Sequence, residues 1–287
     1  MQREQSHMVP AITVGRQASF WNFARADYQA SYINRQRPFL DIEDLPLWRS
    51  CGLQVQGDGS LYTNAAEIQD DAMNCRYIAQ LVSHTLLWLV LRVVNYVAMD
   101  HLTAASSSRQ SSWEQLTALL DFWYGNLPRT FQPCAQMRYP LASRSPRTAD
   151  PSTLTEVFFS MDQCAAAIQL YHFARILLLL NKPQLSSSAA GGAAMSRLKA
   201  YREVSTEAIR HAREIVGVAL GRPRPAVRVE MLLPLYVAGG CLEADEERKV
   251  VLDVLEAIEK DTGCSTDVKV RSLVSEWGWD RGPEGID

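Results

Sequence analysis

The chain has six cysteines and no close pair among them. Cys51, Cys75, Cys134, Cys164, Cys241 and Cys264 all stand more than twenty residues from their neighbours in the series, so no Cys-x-x-Cys occurs. A tetrahedral zinc module needs thiolates near each other in sequence, and this spacing argues against a local zinc fold and for reduced, mostly buried cysteines. Also missing is a basic run. The 29 Lys and Arg are scattered among 32 Asp and Glu, giving a net charge of −3, which is not the footprint of a self-sufficient nucleic-acid binder. The first residues, MQREQSHMVPA, lack the apolar centre of a secretory leader, and the expectation is an intracellular protein. No glycine-rich phosphate loop and no repeated period are found. The most apolar run, Leu86 to Met99, is shorter than the roughly 20 residues of a membrane span and contains Arg92 and Asn95, so it reads as a buried central helix.

What remains is helical pattern. Trp21, Ala24, Tyr28 and Tyr32 fall on one stripe of a helix covering about 19–35. After Arg37-Pro38, residues 40–48 read as an extended strap with Leu40 and Ile42 turned inward, Pro46 holding Leu45 extended, and Asp41, Glu43 and Asp44 available to Arg35, Arg37 or Arg49. A long helix is expected from Ala65 to about Asp100. Ser111-Ser112-Trp113-Glu114 has the spacing of a capping box, predicting a helix start there and an end near Leu127. Five prolines then mark an irregular connector over 128–151, followed by a long helix over 152–182. Residues 185–195, LSSSAAGGAAM, read as a loop, and further helices are expected over 197–220, 227–243, 245–262 and 266–277. The expectation is an all-α, irregular bundle of about seven to eight helices with no strand. It would form one domain over 18–280, with a flexible segment 1–17, mobile loops near 101–111, 128–151 and 183–196, and a tail over 281–287.

Taken in order, FWNFARADYQASYINRQRP with LDIEDLPLW, QLYHFARILLLLNKP, AIRHAREIVGVAL and GGCLEADEERKVVLDVLEAIEKDTGCSTDVKVRSLVSEWGWD resemble the fungal-specific transcription factor domain. That is the regulatory region that follows the Zn2Cys6 zinc cluster in many fungal regulators. The resemblance runs from about Phe20 to Asp280. It implies a helical, nuclear regulatory module that senses an effector or contacts other proteins, with DNA read by a separate zinc cluster that is not among these residues. The expected role is therefore transcription regulation through protein partners or a small effector, in control of a fungal metabolic or secondary-metabolite pathway, without direct sequence-specific DNA binding by this chain. The alternative is a scaffold repurposed as an enzyme or small-molecule binder in secondary-metabolite biosynthesis, located in the cytoplasm.

Three constellations of residues could carry chemistry. Asp70-Asp71-Ala72-Met73-Asn74 matches the magnesium-holding pattern of helical terpene cyclases, but no companion helix completes the cage and the acids suit a helix start. Gln169, His172 and Arg175, with Asp162 upstream, could share a polar cavity with Arg92 beneath the Leu86–Met99 helix, and Arg92, Gln169, His172 and Arg175 are the effector-pocket candidates. Glu207 and His211 have the i, i+4 spacing of two metal ligands, yet with no second His nearby they read as a solvated face. Neither a catalytic residue, a metal site nor a cofactor is assigned. In the closing SEWGWD, Trp277 and Trp279 are expected to anchor the bundle, with the helix ending at Gly278.

Overall fold

The computed structural model describes residues 14–56, 72–99, 106–140, 154–183 and 193–279. Helix α1, Val14–Ile33, buries Trp21, Ala24 and Tyr28 on the stripe read from the sequence. One turn inside that stripe lies Asp27, a buried acid that the sequence does not advertise. Its two carboxylate oxygens accept the backbone N–H groups of Phe39 and Leu40, each at 2.9 Å, and Ser31 Oγ donates to it at 3.2 Å. Asp27 thereby fixes where the chain turns back after Pro38.

The strap that follows is only partly extended. Ile42 is buried as expected, but Asp44 caps a short helix α2, Leu45–Ser50, by accepting from Leu47 N at 3.1 Å. Pro46 sits in the first turn, where its missing N–H has no partner to lose, and so it starts a helix instead of holding Leu45 extended. Asp41 likewise accepts from Glu43 N, and Arg49 donates to the Gln56 carbonyl, so these groups serve the backbone. Two indoles fasten the strap down: Trp48 Nε1 donates to Asp41 O at 2.8 Å and Trp88 Nε1 to Ile42 O at 3.1 Å.

Helix α3 spans Ala72–Ala98, and residues 65–71 of the expected helix lie outside the described residues, as do Asp70 and Asp71. Helix α4, Ser106–Gly125, begins before the expected capping box. Ser112 donates to Ser108 O and Glu114 accepts from Gln110, both i−4 contacts made within a helix already under way.

The connector contains the feature that the sequence reading missed. A 3-10 turn at Arg129–Phe131 leads to strand β1, Ala135–Arg138, which pairs antiparallel with β2, Thr155–Phe158, Ala135 opposite Phe158. The helix expected from 152 therefore starts only at Asp162, as α5, Asp162–Leu180. Strand β2 lies against helix α6, Ala193–Leu220, at two glycines. A Cβ on Gly217 would stand 2.3 Å from Thr155 O, and one on Gly221 2.1 Å from Val157 O, so only glycine permits this approach.

The C-terminal part is α7, Pro225–Arg228, a 3-10 turn at Val229–Met231, α8, Leu232–Cys241, α9, Asp245–Thr262, and α10, Asp267–Glu276. The row Val250, Val251, Val254, Leu255 and Ile258 on α9 is buried. Helix α10 ends where expected. Trp277 occupies its C-cap, Gly278 takes φ 73°, and the reversal brings the Trp277 and Trp279 rings to 4.9 Å. Trp277 Nε1 donates to Gly239 O at 3.2 Å, which ties the end to α8.

The fold is all-α, with eight helices of ten residues or more among the described residues and one two-stranded sheet. Helix α5 is central, packing on α3 along one side and α6 along the other. Both α3 and α5 are long and apolar enough to cross a membrane by composition alone, but 67% of each apolar window is buried inside the fold, the pattern of core helices.

Candidate functional site

Helix α5 carries three of the four candidate residues, and it points them at α6 and α4. Gln169 is buried and donates through Nε2 to Ile215 O at 3.0 Å. His172 meets His211, also buried, with the two Nδ1 atoms 2.7 Å apart. Arg175 pairs with Asp121 of α4 and lies over the Tyr171 ring, which stacks on Tyr124 at 4.5 Å. The expected fourth member of the row, Asp162, binds Arg224 at 2.6 Å instead.

The histidine pair has one consistent proton arrangement. Arg210 Nη2 stands 3.1 Å from His211 Nε2 and can only donate, so that nitrogen accepts and His211 carries its proton on Nδ1. His211 then donates to His172 Nδ1, which leaves His172 protonated on Nε2. Both rings are neutral, because a second proton on the shared side would set donor against donor. Burial, then Arg210 and Arg175, push His211 down to about 3. His172 is also held well below the ordinary histidine value, by burial first and then by His211, Arg210 and Arg175. His211 is thus not on a solvated face, and its expected partner Glu207 pairs with Arg210 at 2.8 Å. No group of three or more metal-ligating side chains is assembled among the described residues. The Gln169 amide, both His Nδ1 atoms and the Arg175 guanidinium face other protein groups, so the seam reads as an interhelical network and not as an open pocket.

Arg92 is elsewhere. It lines a cleft of about 710 Å³ bounded by the strap, α3 and α4, and none of Gln169, His172 or Arg175 reaches that cleft. On α3, Trp88, Arg92, Asn95, Tyr96 and Met99 form one helical stripe along its floor. The guanidinium carbon of Arg92 lies 4.9 Å over the Trp88 ring. It has no hydrogen bond or ion pair among the described residues. Burial lowers its pKa, and Glu43 on the strap opposes that shift from beyond salt-bridge distance. The candidate set is therefore split between two places, a closed seam and an open cleft.

With this geometry in view, the sequence likeness becomes informative. The chain is 33% identical over 276 residues to the transcription activator AMTR1 of Alternaria alternata. The match takes in 91% of this chain and 35% of that protein, so the chain spans about a third of the relative's length. No family model matches the chain, and no solved structure does.

A second cleft, of about 770 Å³, opens between α1, the ends of α3 and α5, and α10. Its floor is Val94, Val97 and Leu177, and its rim carries Arg35 and Lys269. Arg35 adopts φ 53°, a left-handed conformation that turns the chain out of α1. Ile33, Leu180 and Val268 stand exposed around it, at 60%, 56% and 74%.

Proposed function

We propose that this chain is the regulatory region of a transcription regulator, a helical module that acts in the nucleus through protein partners or a small effector. The observation that carries this reading is the likeness to a transcription activator over 91% of the chain. It is supported by the order of the segments that resemble the fungal-specific transcription factor domain, and by an architecture of core helices with open clefts at their edges. In that reading the regulated genes belong to a fungal metabolic or secondary-metabolite pathway. The scattered charge, −3 in total, is poorly suited to reading DNA unaided, because base recognition is normally accompanied by several cationic contacts to phosphates.

The test is to tether residues 1–287 to an unrelated sequence-specific DNA-binding domain in a fungal host and to measure a reporter that carries the matching sites. A several-fold change in reporter output over the DNA-binding domain alone is expected. An unchanged output, with the fusion present on its sites, would remove the regulator reading. The purified chain by itself should show no preference among DNA sequences in a gel-shift assay.

A further inference from the structure

The cleft beneath the strap contains a cation with no hydrogen-bonded partner among the described residues. Arg92 is half-buried on the floor formed by α3, and its guanidinium, a fork of five N–H donors, makes no hydrogen bond among the described residues. The other buried or half-buried arginines all have partners, although Arg109 Nη2 and Arg228 Nε are buried without one. Arg228 pairs with Asp261, Arg213 with Glu247, Arg175 with Asp121, Arg25 with Glu230, Arg248 donates to the Leu242 carbonyl, and Arg109 donates to the Tyr96 and Met99 carbonyls at the end of α3. A desolvated guanidinium with unused donors beside open volume is a receptor for an anion.

The surroundings narrow the class of anion. Trp88 and Leu116 are buried with part of their surface forming the cleft wall, and Leu119 and Tyr96 extend that apolar side. Asn95 and Gln115 also line the cleft, with side-chain amides that make no hydrogen bond among the described residues and can take polar substituents. The volume, about 710 Å³, lies within the usual range of roughly 300–1,000 Å³ for small-molecule sites. Glu43 stands on the strap side of the same cleft. One cation with a carboxylate opposite favours a singly charged guest over a doubly charged one, which disfavours phosphate.

We propose that this cleft binds a small organic monocarboxylate with a flat apolar body, its carboxylate held in the fork of Arg92 and its body against Trp88 and Leu116. This deepens the regulator reading by naming the chemistry of the effector, and it rests on that reading only for its biological meaning. Binding would bridge α3 to α4 beneath the strap, whose backbone is already pinned at Ile42 by the Trp88 indole. The guest therefore touches the two helices whose relative position it would fix.

The experiment is calorimetric titration of the purified chain with 2-naphthoate, a planar monocarboxylate. Saturable binding with Kd of about 1 mM or tighter is expected, and binding at least about tenfold weaker for the neutral isostere 2-naphthamide, since a charge-assisted pair contributes about 1.5–3 kcal/mol. Arg92→Gln should weaken naphthoate at least about tenfold. Glu43→Gln, a change at an exposed side chain that makes no hydrogen bond or ion pair among the described residues, should tighten it several-fold by removing the opposing charge. Because this second variant predicts a gain, loss of folding cannot imitate it. Naphthoate left unbound by the wild type, equal binding by Arg92→Gln, no gain from Glu43→Gln, or displacement by inorganic phosphate would each overturn the proposal. The reporter fusion and this titration can fail independently, so loss of one reading does not remove the other.

Discussion

Two arginines show how differently the two sides of the bundle are built. Arg213, on α6, donates to Glu247 at 2.8 and 3.5 Å, and Glu247 is 1% exposed in the first turn of α9, where the helix dipole also favours its charge. Arg92, on α3, faces a cleft and has no such acid. On the α6 side the buried acid has its cation, and polar groups there set the spacing of helices. On the strap side a charge has been left with open volume before it. Equal side chains thus carry opposite structural weight, and only the second is available to anything outside the fold.

The contrast is broken most strongly at Arg213. Arg213→Gln strands the Glu247 carboxylate in the interior, and removing one member of a buried pair typically costs 3–5 kcal/mol. Since Arg213 is itself 36% exposed, water can partly replace it, and a loss of about 2–3 kcal/mol in urea unfolding is expected. A change below about 0.5 kcal/mol would mean that the α6 to α9 pairing is a surface contact after all.

Comparable to this at each histidine is the effect of acid, which acts mainly on the closed side. A histidine whose folded pKa is lowered binds protons better when unfolded. Stability is therefore complete above the unfolded value, near 6.5, and is lost as pH falls from there toward the folded one. With His211 at about 3, moving from pH 7 to pH 5 should cost about 2 kcal/mol at this residue. His172 acts in the same direction. So does His84, which stacks on Trp21 at 3.8 Å and is lowered to about 3 by burial and then by Arg25. Urea unfolding at pH 7 and pH 5 reads the total, and the double variant His172→Gln, His211→Gln should flatten its slope. A wild-type midpoint that does not move between those pH values would show that the pair is not buried neutral.

Much of this was legible in the sequence, and the rest was not for identifiable reasons. The apolar stripes of α1 and α9 and the stop at Gly278 are local, written in residues three or four apart, and the structure follows them. Strand β2 is four residues long and continues straight toward α5, so its pattern merges with the helix until β1, Gly217 of α6 and Gly221 just after it are seen beside it. His211 is placed by His172, thirty-nine residues away, while its local neighbours Glu207 and Arg210 suggest a solvated face. Arg92 was grouped with His172 because both lie on long apolar helices. Its own stripe, with Trp88 four residues before and Asn95 and Tyr96 following, is the signal that places it on the opposite face from α5's polar row.

The smallest expected effect is on stability at Arg92 itself. Three contributions compete when it becomes glutamine. The cation over Trp88 is lost, at about 0.5–1 kcal/mol for a partly exposed pair, as is the distant attraction to Glu43. Against them, the desolvation that lowers the Arg92 pKa is relieved, because a neutral amide is less costly to hold in the same half-buried place. No hydrogen-bond partner is orphaned, so the large term that dominates at Arg213 is missing. The sum should lie within about 0.5 kcal/mol of zero by urea unfolding, the range of ordinary surface changes. A loss of 2 kcal/mol or more, comparable to Arg213→Gln, would show that Arg92 supports the strap, and the difference between the two sides of the bundle would then be one of degree.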